Sequence, residues 1–62
     1  MKVRFIVDDP MGLWDAGDVA EDLGPESEGA PEIRVLELPE GEVICLTEPF
    51  ARGLIVAVEE KS

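Results

Sequence analysis

Carboxylates dominate the chemistry open to this chain. The stretch "DDPMGLWDAGDVAEDLGPESE", residues 8–28, holds eight of the fifteen acidic residues and no lysine or arginine. Asp8/Asp9, Asp15/Asp18 and Glu21/Asp22 are the residue types that general acid–base work needs. Such work requires burial to separate one carboxyl from its neighbour, and an exposed acidic loop solvates both instead. The chain has no histidine, which removes the commonest general base and the commonest zinc ligand. Cys45 is the single cysteine, so no redox pair or thiolate–imidazole pair exists. Within "VICL" it reads as a small buried hydrophobe. "GLWDAG" lacks the spacing and the lysine of a phosphate loop. Asp8, Asp9, Asp15 and Asp18 supply the hard oxygens calcium prefers, but their spacing matches no EF-hand loop and no metal site is assigned. The expectation is a protein that is not an enzyme and needs no cofactor.

The acidity has a location. Residues 8–28 carry a charge of −8, and everything else carries seven acids against Lys2, Arg4, Arg34, Arg52 and Lys61, or −2. A surface of this sign repels nucleic acid and anionic membranes and attracts basic proteins. Five scattered cations cannot track a phosphate backbone, so direct nucleic-acid binding is excluded. The plain alternative is that the charge only keeps a small protein dispersed. Trp14 lies inside the acidic stretch beside Leu13 and near Met11. Folded inward, it closes one end of a small core. Left partly exposed in a ring of carboxylates, it becomes an anchor for a partner, with the charges steering encounter. The second reading makes Asp8, Asp9, Met11, Trp14, Asp15, Asp18, Glu21 and Asp22 the candidate partner-binding residues. Alternate carboxylates on a strand lie about 6.6 Å apart, close enough to imitate phosphates imperfectly. Charge reversal at Asp15, Asp18, Glu21 and Asp22 is then expected to remove binding and leave the fold intact.

Sixty-two residues make one domain, 1–62, with a core that buries only about 60% of the unfolded chain's surface. No apolar run approaches the length of a membrane span. The start "MKVRFIVDDP" reads as a strand of the mature protein and not as a signal peptide. "KVRFIVD" (2–8) alternates, with Val3, Phe5 and Val7 on one face. "DPMG" turns the chain. Residues 15–23 fit either an amphipathic helix or a turn at "AGD" followed by a short strand "DVAEDL"; Gly17 in the first turn and acids at the C-terminal end favour the strand. "GPESEGAPE" (24–32) is a loop by composition. "EIRVLEL" (32–38) and "EVICLT" (42–47) are strands joined by "PEG", with Gly41 placed for positive φ. The second of these is apolar on both faces, which points to a central position. "EPFARG" (48–53) offers one 3₁₀ turn, and "LIVAVE" (54–59) is the last strand.

Five short strands with a long first loop, a hairpin around "LPEGE" and "EPFAR" before the last strand form an element order that resembles the SH3-like barrel family across nearly the whole chain. "FIVDDPMGLWDAGDVAEDL" also looks like a stretch of short phage-encoded proteins of that type, which carry an aromatic and then Gly-Asp between the first two strands. The resemblance implies an all-β, SH3-like five-stranded small barrel with one short 3₁₀ turn. It carries no ligand with it, because polyproline-reading members use tyrosine-rich grooves and this chain has no tyrosine. The resulting expectation is a cytoplasmic acidic module, alone or as a homodimer. It binds a basic protein surface and imitates nucleic acid, as an inhibitor of a nucleic-acid-binding enzyme. The alternative is a structural or assembly subunit, such as a small virion component.

Overall fold

The computed structural model describes residues 1–58. Those residues form five strands: β1 (Lys2–Phe5), β2 (Val19–Ser27), β3 (Ala30–Glu37), β4 (Val43–Thr47) and β5 (Ile55–Val58). All pairings are antiparallel, in one sheet of order β4-β3-β2-β1-β5. No described residue is helical, and no helix is long and apolar enough to cross a membrane. Residues 15–23 accordingly resolve to the turn and strand, not the helix. Glu59, the end of the expected last strand, lies outside the described residues, as does the tail after it.

Alternation in β1 sends Val3 and Phe5 into the core with no exposed surface, while Lys2 and Arg4 face solvent. Opposite them Ala20 is buried from β2 and Ile55 from β5. Leu36 and Leu38 enter from β3 and the residue after it, and Ile44, Leu46 and Leu54 pack against the same cluster. Leu38 donates its N–H to the Glu42 carbonyl at 2.7 Å, and Gly41, at φ 97°, closes the turn in the left-handed backbone region that glycine enters without a Cβ clash. The hairpin around "PEG" stands as its turn chemistry predicts.

Three expectations about the strands are corrected. β1 ends at Phe5, not at Asp8. Ile6 still donates to the Leu54 carbonyl at 3.1 Å, but Val7 is exposed. Residues 24–32 are not a loop: β2 runs through them to Ser27, and a two-residue turn at Glu28-Gly29 leads into β3. Proline is tolerated there because β1 pairs with β2 only as far as Glu21, so Pro25 lies where β2 has β3 as its one strand neighbour. A bulge at Leu23, with Gly24 at φ 110°, shifts the register and marks where β2 passes from one pairing regime to the other. Finally, β4 is an edge strand, not a central one, and Cys45 on it is exposed, not buried. Its apolar second face is turned to solvent.

The connection from β4 to β5 is a set of hydrogen-bonded turns in place of a single 3₁₀ turn. Arg52 donates to Glu48 at 2.9 Å, Gly53 to Phe50 at 3.2 Å, and Leu54 to Pro49 at 2.9 Å. Pro49 is fully buried beneath them. β4 and β5 are the two ends of the sheet and do not pair with each other, so the sheet is open where a barrel would close.

Candidate functional site

The long connection between β1 and β2, residues 6–18, is a folded arch held by its own aspartates. Asp9 starts a turn in which the Gly12 N–H reaches the Asp9 carbonyl at 3.0 Å and the Leu13 N–H reaches Asp9 Oδ2 at 2.9 Å. Asp8 Oδ1 accepts from the Ala16 N–H at 2.8 Å, and Asp18 Oδ2 from the Asp15 N–H at 3.0 Å. The base of the arch is tied to β1, since the Phe5 N–H donates to Asp18 and the Gly17 N–H donates to Phe5. Short acceptors one turn away from bare N–H groups are what aspartate supplies best in a loop. Asp8, Asp9 and Asp18 therefore have a structural task inside the arch in addition to their charge.

Trp14 is 7% exposed and is the keystone of the arch. Its ring stacks on Phe5 with centroids 4.4 Å apart and planes 16° from parallel. Its Nε1–H donates to the Val7 carbonyl at 2.8 Å. The inward reading of Trp14 holds, and the exposed-anchor reading is overturned: a core of seven buried apolar residues needs the largest side chain in the sequence more than the surface does. The exposed apolar side chains of the arch are Met11, at 85%, and Leu13.

What the arch does form is a cleft of about 290 Å³ against the β3–β4 hairpin. Leu13, Trp14, Leu38 and Pro39 line it together with Asp15, Asp18, Glu40 and Glu42, and most of the surface it exposes is polar. A polar cleft with acidic residues on two sides and a few apolar groups among them is suited to a lysine or arginine side chain, whose stem lies against the apolar groups and whose cation reaches the acids.

The eight candidate residues thus divide. Trp14, Asp15 and Asp18 line the cleft, and Met11 stands exposed on the same arch, while Asp8 and Asp9 hold its backbone. Glu21 is elsewhere, on β2, paired with the N-terminal ammonium at 3.3 Å. Asp22 is not a surface residue at all. Its carboxylate is fully buried and takes three contacts of 3.0–3.2 Å from the Arg34 guanidinium, plus the Gly24 N–H at 2.9 Å. Charge reversal at Asp22 would put a cation at a fully buried position beside the Arg34 guanidinium, so the expectation that it leaves the fold intact is corrected. Glu40 and Glu42 were missed because "LPEGE" reads as turn chemistry. The one available signal was that carboxylates flank that turn on both sides of its glycine.

Among the described residues no group of three or more acidic or cysteine side chains is arranged to hold a metal ion. Set beside known proteins, the chain matches no family model, no curated protein and no solved structure, so the cleft and the sheet that frames it are the basis for any functional reading.

Proposed function

We propose that this chain is a small, non-catalytic protein-binding module that occupies a basic surface of a nucleic-acid-binding enzyme and inhibits it. The observation that carries the reading is the cleft, which four acidic residues from two separate loops line together with Leu13 and Pro39. A basic groove evolved for phosphates presents lysine and arginine at close intervals, and such a cleft takes one of them while the remaining acids of the arch steer the approach. The proposal includes an SH3-like barrel left open between β4 and β5. It is supported by the strand order, in which the last strand returns beside the first and β2 is shared between two pairing regimes. It also places the protein in the cytoplasm, where such enzymes work.

A structural or assembly role is the second reading, and one observation favours it. Asp8, Asp9, Asp18 and Asp22 all accept hydrogen bonds inside the chain, so half of the acidic stretch has an architectural use already. Binding to an immobilised basic DNA-binding protein separates the two. The inhibitor reading expects capture that weakens steeply with salt, is displaced by duplex DNA, and is lost in the D15K/E40K/E42K variant while E21K changes little. Capture that persists in high salt and ignores DNA sinks the mimicry and leaves the assembly role.

A further inference from the structure

The edge strand β4 presents a second binding surface. The Glu48 N–H donates to Glu32 and the Leu38 N–H to Glu42, each at 2.7 Å, which makes 32/48 and 38/42 hydrogen-bonded pairs at the two ends of the β3–β4 ladder. Antiparallel alternation then makes 34/46 and 36/44 the bonded pairs between them. Val43, Cys45 and Thr47 consequently turn their N–H and C=O groups away from β3, toward an edge with no strand partner among the described residues. The side chains of the same three residues are exposed, with Ile44 and Leu46 turned to the core. Nothing of the usual protection is built into this edge: no lysine, proline or bulge interrupts "VICLT".

We infer that β4 accepts an extended segment of another protein as a sixth, antiparallel strand, and that this segment carries a lysine or arginine at each end. The charge pattern selects the occupant. The strand itself is uncharged, and Glu42 and Glu48 stand immediately before and after it. A second copy of this chain, paired antiparallel about Cys45, would bring Glu42 toward the other copy's Glu48 twice over, Glu48 lying just past the strand at φ 46°, in a molecule of net charge −10. Like charges directly opposite destabilise a strand pair. A segment with cations three residues on either side of its centre reverses both contacts. Its β-branched residues at the centre and two residues to either side would lie beside Val43, Cys45 and Thr47, and its backbone would take up the free N–H and C=O groups. This surface is distinct from the cleft, although Glu42 borders both.

The capped heptapeptide Lys-Val-Thr-Val-Thr-Val-Lys tests the inference against isotope-labelled full-length protein. Bound, it should slow hydrogen exchange at the amides of Val43, Cys45 and Thr47 by about tenfold or more. The version with glutamate at both ends should leave them unchanged. So should the version N-methylated at its central valine, which cannot donate to Cys45. In the protein, Cys45→Pro removes one outward N–H that the ladder with β3 does not use, and should abolish the effect at Val43 and Thr47. Unchanged exchange at β4 with the lysine peptide overturns the inference. So does a response confined to the amides of residues 13–18, which places the peptide in the cleft. Concentration-dependent protection of β4 without peptide shows that a second copy occupies the edge and overturns it as well.

Discussion

Asp22 and Arg34 show how much rests on one pair of residues. The carboxylate has no exposed surface and the guanidinium is still 28% exposed, so the acid depends on the base more than the reverse. Removing one partner of a buried pair costs about 3–5 kcal/mol, much of it from the charge left behind. A domain below 80 residues has about that much stability in total. Arg34→Ala, which leaves the buried carboxylate unpaired, is therefore expected to leave the protein largely unfolded at room temperature, and Asp22→Ala, which leaves a part-exposed cation, to cost less. The apolar double variant Asp22→Leu/Arg34→Met should recover most of the stability, because it strands no charge. Chemical denaturation of the three variants checks this, and a double variant as unstable as the singles would show that the pair does not act as a unit. Trp14 makes a similar point in apolar form: a residue set among acids in the sequence spends its ring on Phe5 and its N–H on Val7.

At the level of elements, the arch over residues 6–18 is the part whose behaviour follows least from composition. Its glycines, proline and acids describe a loop, yet the backbone N–H groups of Gly12, Leu13 and Asp15 through Asp18 are paired within the chain. Three of those bonds go to single carboxylate oxygens, of Asp9, Asp18 and Asp8, which makes them separable. Asp9→Ala should speed exchange at the Leu13 amide, and Asp8→Ala at the Ala16 amide, each by about fivefold for the ~1 kcal/mol of a lost hydrogen bond. Asp→Asn at either site keeps an acceptor oxygen and should restore most of the protection. Exchange that rises equally in the asparagine variants would mean that charge, and not the hydrogen bond, holds the arch. The turn "AGD" and the "PEG" hairpin were legible in the sequence because glycine chemistry is local. The β2–β3 hairpin was not. "GPESEGAPE" has loop composition, and its prolines sit where a neighbouring strand stops short: β1 pairs with β2 only as far as Glu21, before Pro25, and β4 pairs with β3 only from Ile33, after Pro31.

Over the whole molecule, a net charge of −10 on 62 residues sets the response to salt. Self-repulsion among the acids opposes the folded state, and salt screens it over roughly 10 Å at 0.1 M. Thermal stability is expected to rise by several degrees, about 5 °C for each kcal/mol relieved, between low salt and 0.5 M sodium chloride. Differential scanning calorimetry reads this directly. A melting temperature that falls with salt would mean that attractive pairs such as Glu21 with the N-terminus outweigh the repulsion. Binding through the cleft runs the other way and weakens as salt rises, so stability and affinity should move in opposite directions on one titration.

The amino-acid sequence by itself determined the all-β class, the shared face of Val3 and Phe5, the glycine turns, and the concentration of charge in one third of the chain. Each of these rests on local terms: side-chain period, backbone freedom and formal charge. Only the tertiary structure decided which carboxylates face outward. Asp22 is withdrawn by Arg34, twelve residues away, and Glu40 and Glu42 are brought to Asp15 and Asp18 by the packing of two loops. It also decided that "EVICLT" lies at an edge, since an apolar second face looks the same whether a neighbouring strand or solvent covers it. Long-range pairing is a property of the whole chain, and a strand's own residues do not encode which side of it will be left empty.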